Sequence, residues 1–124
     1  MEDVDIYGAS FAYGVDGLPG SGGSISNLKV SGGQIGVFHG SYRPTPLLTG
    51  LQLIGQSSYG IKTGIIRGPL VVAGFSIIGP TNNNSGYAGV YVNTTYVGGG
   101  GSEPSIGNLV MSDGTIQVTP NNGI

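Results

Sequence analysis

Along much of the chain apolar and polar residues alternate one by one, in short runs that end at glycine. A period of two belongs to a β-strand with one buried face, not to a helix. The clearest case is Pro46 to Arg67. Leu48, Leu51 and Leu53 are apolar, Gly55 breaks the run, a polar patch follows, and the apolar pattern resumes at Gly60-Ile61. This stretch predicts one short strand, a turn, and a second short strand.

Other parts of the chain repeat it. Ile25-Ser-Asn-Leu28-Lys-Val30 precedes Gly36-Val37, and Val72-Ala-Gly-Phe75-Ser-Ile77 precedes Gly89-Val90. A fourth copy reads Ile106-Gly-Asn-Leu109-Val-Met111 and precedes Gly123-Ile124. The anchors Leu28, Leu51, Phe75 and Leu109 are spaced 51−28=23, 75−51=24 and 109−75=34 residues. Loop insertions near Thr81–Ser85 and Val97–Ser102 account for the longer third interval. A unit of ~20–25 residues that tolerates such insertions is the signature of a solenoid. Leucine-rich repeats and six-residue left-handed helices fail the pattern. A parallel β-helix remains, with coils stacked ~4.8 Å apart. Leu28, Val30, Leu51, Leu53, Phe75, Ile77, Leu109 and Met111 are its expected interior columns. Lys29, Gln52, Ser76 and Val110 are expected to share one outward slot.

Taken in order, Met1 to Gly23 holds a weaker first coil around Val4–Gly8 and Tyr13-Gly14-Val15. Phe38 to Pro46 reads as a loop. Asn27 and Asn108 share a slot with Gly50 and Gly74, as expected for a residue at a bend.

Composition narrows the function classes. At 124 residues the chain is expected to be a single β-helix domain over 1–124, or a piece of a longer solenoid. Its 26 glycines follow no Gly-X-Y period, which excludes collagen and points to tight corners. Four basic and six acidic residues form no basic patch, so nucleic acid is not an expected partner. The absence of cysteine excludes disulfides and thiolate metal sites. No apolar run of ~18 residues is present, so no membrane span is expected, and no signal-peptide pattern opens the chain.

The recurring apolar-x-Asn/Gly-Leu-x-apolar-x-Gly…Gly-Ile/Val coil, over roughly Ile25 to Ile124, resembles the right-handed parallel β-helix proteins of the pectate-lyase superfamily. The resemblance implies an all-β, right-handed parallel β-helix of about four to five coils, about 24 Å tall. It also implies association with polysaccharide, at an extracellular or cell-surface location. The same scaffold serves lyases, hydrolases, epimerases and phage tailspikes, so it does not decide whether the chain is an enzyme.

Candidate chemistry is sparse. The carboxylates Glu2, Asp3, Asp5, Asp16, Glu103 and Asp113 form no stacked pair of the kind a glycoside hydrolase needs. Asp113-Gly114 reads as a turn. No cofactor or metal is expected, and the lone His39 reads as a loop or corner residue. Arg43 and Arg67 stand 67−43=24 residues apart, about one coil, and could together grip an acidic sugar. With Val37, Ile61 and Val90 pointing inward, Phe38, Lys62 and Tyr91 point outward from successive coils. That aromatic–cation–aromatic column suits stacking on a sugar ring. Two functions follow as expectations: a carbohydrate-associated β-helix module of an extracellular polysaccharide-active enzyme, or a non-catalytic structural, adhesive or self-assembling solenoid. End-to-end self-association is expected, because a solenoid end leaves backbone groups unpaired above an apolar core.

Overall fold

The computed structural model describes residues 2–19, 23–40, 46–64, 69–82, 86–92 and 109–118. These residues form β-strands and connecting turns, without a helix. In chain order the strands are β1 (Glu2–Gly8), β2 (Tyr13–Asp16), β3 (Ser24–Gly32), β4 (Ile35–His39), β5 (Leu47–Ile54), β6 (Tyr59–Thr63), β7 (Leu70–Ile78), β8 (Ala88–Val92) and β9 (Leu109–Gln117). Odd and even strands go to different sheets. The long strands are ordered β1-β3-β5-β7-β9 and the short ones β2-β4-β6-β8, and every pairing is parallel. Parallel neighbours need a crossover. Here the chain crosses through the other sheet, so strands adjacent in one sheet are separated by a strand of the other.

Each long strand contains a residue in the left-handed region at the same slot. They are Asp3 (φ 52°), Asn27 (φ 53°), Gly50 (φ 66°), Gly74 (φ 71°) and Asp113 (φ 55°). Glycine, asparagine and aspartate are the residues that tolerate this conformation. The slot resets the alternation. Ile25 and Leu28 are both buried although three apart, and so are Leu48 and Leu51. An uninterrupted strand would send one of each pair to the opposite face. Asn27 takes this left-handed conformation inside β3, and its amide Nδ2 donates to the Asp3 carboxylate on the neighbouring strand at 2.8 Å.

The two sheets share one core. Leu28, Val30, Leu51, Leu53 and Ile77 of the long strands pack in one cluster with Val37 and Ile61 of the short strands. Glycines in the short strands set the close approach. A Cβ on Gly36 would come within 2.8 Å of both the Gly60 carbonyl and Leu53 Cδ2. On Gly60 it would lie 2.6 Å from the Gly89 carbonyl and 2.9 Å from Ile77 Cγ2. The turns stack as well: Ser57 and Ser58 donate backbone N–H to Gly33 and Gln34, each at 2.9 Å. Buried Gln56 ties rungs together, its Nε2 donating to the carbonyls of Val30 (3.0 Å) and Gly32 (3.1 Å).

Three sequence expectations are corrected. The fourth copy is displaced by five residues: Leu109 pairs with Leu70, Met111 with Val72, and Gly114 takes the place beside Phe75. The interval is therefore 114−75=39 residues, not 34. The left-handed slot decides it, because Asp113 must sit beside Gly74, and Phe75 occupies the space a Cβ on Gly114 would need. Thr115, not Val110, thus continues the outward column of Lys29, Gln52 and Ser76. Asp113-Gly114 lies inside a strand rather than in a turn. Phe38 and His39 belong to β4, not to a loop.

Candidate functional site

The outward column of the short-strand sheet runs Asp16, Phe38, Lys62, Tyr91, each paired in register with the next. Alternation explains its direction. Val37 and Ile61 are fully buried and Val90 packs against the core, so the residue after each turns to the outside. The aromatic–cation–aromatic order read from the sequence is thus assembled on adjacent strands.

Two tyrosines enlarge it. Tyr59 opens β6 and stacks on Tyr91 with ring centroids 5.0 Å apart and planes at 29°. Tyr13 opens β2 and lies 5.3 Å from the Phe38 ring. Lys62 Nζ stands 5.9 Å from the Phe38 centroid, 5.4 Å from Tyr59 and 5.9 Å from Tyr91. Each distance lies within cation–π range. Tyr13 keeps 41% and Tyr91 40% of its surface exposed, so the rings remain accessible from solvent. The patch offers flat apolar faces, phenolic hydroxyls and one ammonium on a regular ladder. Sequence reading missed Tyr13 and Tyr59, although Tyr13-Gly-Val15 and Tyr59-Gly-Ile61 repeat a tyrosine before the Gly-apolar pair.

Arg43 and Arg67 lie outside the described residues, and so does Glu103. The remaining carboxylates are divided between β1 (Glu2, Asp3, Asp5), β2 (Asp16) and β9 (Asp113). Among the described residues no group of three or more histidines and acids is placed to hold a metal ion.

His39, expected in a loop or at a corner, is a strand residue. It ends β4 beside Thr63 and is fully buried. Among the described residues neither ring nitrogen, nor the Thr63 hydroxyl, has a hydrogen-bond partner. Burial lowers the His39 pKa by penalising the charged ring. Buried Tyr87 is pushed the other way, up to about 12, because its phenolate would also lose hydration. Both residues are interior packing groups and do not face the aromatic patch.

No protein-family model, no curated protein and no solved structure matches the chain. Among the described residues no helix is long and apolar enough to cross a membrane.

Proposed function

We propose that the two sheets are the walls of a right-handed parallel β-helix and that its short-strand wall binds saccharide. The left-handed slot supports the first part. A single such residue bends a strand, so each long strand serves as two sides meeting at a corner, and the short strand closes the coil. Right-handedness is the sense that nearly all parallel crossovers take. Such a module resembles the pectate-lyase superfamily and would act outside the cell, within a polysaccharide-active protein.

The observation that carries the saccharide reading is the group of Tyr13, Phe38, Tyr59 and Tyr91 gathered around Lys62. Sugar rings present C–H faces that stack on aromatic rings, while their hydroxyls accept from an ammonium or exchange hydrogen bonds with phenols. A straight ladder of such groups matches an extended chain better than a compact metabolite, which would need a concave pocket. Recognition is supported by the residues of this column, in which Asp16 is the one carboxylate among the described residues.

The test is calorimetric titration with a panel of neutral and uronic oligosaccharides. Binding by the native chain should weaken roughly 2- to 10-fold in Phe38→Ala and in Tyr91→Ala, the amount expected from one aromatic contact. Unchanged affinity in both variants contradicts the site.

A second reading has its own support. Tyr59 and Tyr91 stack on each other, and Lys62 bridges rings on three strands, so the same groups tie neighbouring strands laterally. On that reading the wall is structural in an adhesive or self-assembling solenoid. Tyr91→Ala would then lower stability and leave no saccharide affinity to lose.

A further inference from the structure

Among the described residues the two edges of the long-strand sheet are β1 and β9. Both carry the left-handed residue in the same slot, Asp3 in β1 and Asp113 in β9. Register links them across the sheet. The outward column runs Asp5, Lys29, Gln52, Ser76, Thr115, and an inward one joins Ile6, Val30, Leu53, Ile77 and Ile116. An edge of this shape accepts only a strand bent at the same point, and each edge offers such a strand to the other. Ile116 keeps 39% of its surface exposed at the β9 edge, and Val4 and Ile6 are only partly buried at the β1 edge.

We propose that β9 of one copy pairs in parallel with β1 of a second copy, and that the charge on Asp3 and Asp113 opposes this stacking. The occupant of each edge is another copy of this chain, because the slot, the apolar column and the strand direction continue across the joint without change. Ile116 then meets Ile6, Thr115 meets Asp5, and Asp113 meets Asp3. Two carboxylates on directly opposed residues repel. The groups around them deepen the repulsion more than they relieve it. Glu2 and Asp5 flank Asp3 on β1, Lys29 of β3 stands beside Asp5, and β7 brings no charged residue to Asp113. Charged edges of this kind keep a sheet from growing. Removing the charge releases head-to-tail addition, which repeats without closing and gives filaments.

Asparagine fits the slot, since Asn27 already occupies it at φ 53° and donates to Asp3. Asp3→Asn with Asp113→Asn therefore removes the charge and keeps the bend. In sedimentation velocity at neutral pH, the native chain should stay monomeric while the double variant at least doubles its weight-average mass as concentration rises. Register is read separately, using the absence of native cysteine. In the double variant, Asp5→Cys with Thr115→Cys should form intermolecular disulfides on mild oxidation. Asp5→Cys with Val110→Cys should not, and Asp5→Cys with Lys29→Cys should close within one chain. A double variant that stays monomeric at every concentration overturns the proposal. So does a native chain that assembles equally well at neutral pH, or cross-linking that ignores register while the Asp5–Lys29 control closes.

Discussion

The long-strand and short-strand sheets share a core but spend their outer faces differently. The outward column of the long strands is polar and without aromatics across its middle, with Lys29, Gln52 and Ser76. That of the short strands is Phe38, Lys62 and Tyr91, with Tyr13 and Tyr59 beside it. Their backbones differ in the same division. Each long strand carries a left-handed residue, whereas the short strands carry none and have glycine where a long-strand side chain presses on them. The left-handed residues are confined to the long strands, and the proposed saccharide-binding groups lie on the short ones. Substitutions in the two sheets should accordingly separate stability from binding.

The largest effect is expected at the core of the long-strand sheet. Leu51 is 1% exposed and sits between two neighbouring rungs, so Leu51→Ala should cost roughly 2–5 kcal/mol in urea denaturation. A loss below that range would mean that the rungs collapse into the space.

Next comes the bend. The nearest neighbour to a Cβ on Gly74 is the Gly50 nitrogen at 3.6 Å, so there is room for a side chain. The cost of Gly74→Ala should come from φ alone, about 1–2 kcal/mol, and Gly74→Asn should recover part of it. Equal losses in both variants would point to crowding instead of backbone conformation.

The buried titratable groups give smaller, pH-shaped effects. Because the folded chain holds the His39 pKa below its ordinary value, the unfolded chain binds more protons in the interval between the two. Stability from this residue should be full above about pH 6.5 and fall as pH drops towards the lowered value. His39→Gln should flatten that slope. Tyr87 acts in the other direction. Its contribution is present below about pH 10 and is lost as pH rises towards the folded value of about 12, a loss that Tyr87→Phe should abolish.

The smallest stability change belongs to the short-strand face. Lys62→Met removes the cation–π contacts of a half-buried ammonium with Phe38, Tyr59 and Tyr91 and should cost about 1 kcal/mol, while lowering saccharide affinity. A large stability loss without a binding change would favour the structural reading of that face.

Much of this division was legible in the sequence. The period of two gave the strands, and Leu51-Gln52-Leu53 located inside and outside. The Gly36-Val37 and Gly60-Ile61 pairs placed the short strands, which in turn aimed Phe38, Lys62 and Tyr91 outward. The fifth long strand was misaligned because Leu109-Val-Met111 imitates the alternation of Leu51-Gln-Leu53. What sets its register is the backbone angle at Asp113, and aspartate seldom marks that angle as clearly as glycine does. His39 reads as a loop residue because it is polar and prolines follow it, yet its position two residues after Val37 keeps it in the strand. Tyr13 and Tyr59 went unnoticed because their stacking crosses between strands and has no fixed spacing along the chain.

On the proposed function, recognition belongs to the short-strand sheet and not to the long-strand one. Its most direct test is amide and side-chain chemical-shift mapping during titration with an oligosaccharide that the panel identifies. Perturbations confined to Phe38, Tyr59, Lys62, Tyr91 and their neighbours on the same sheet are predicted. Perturbations centred on Lys29, Gln52 and Ser76, or no saturable perturbation on either sheet, would contradict it.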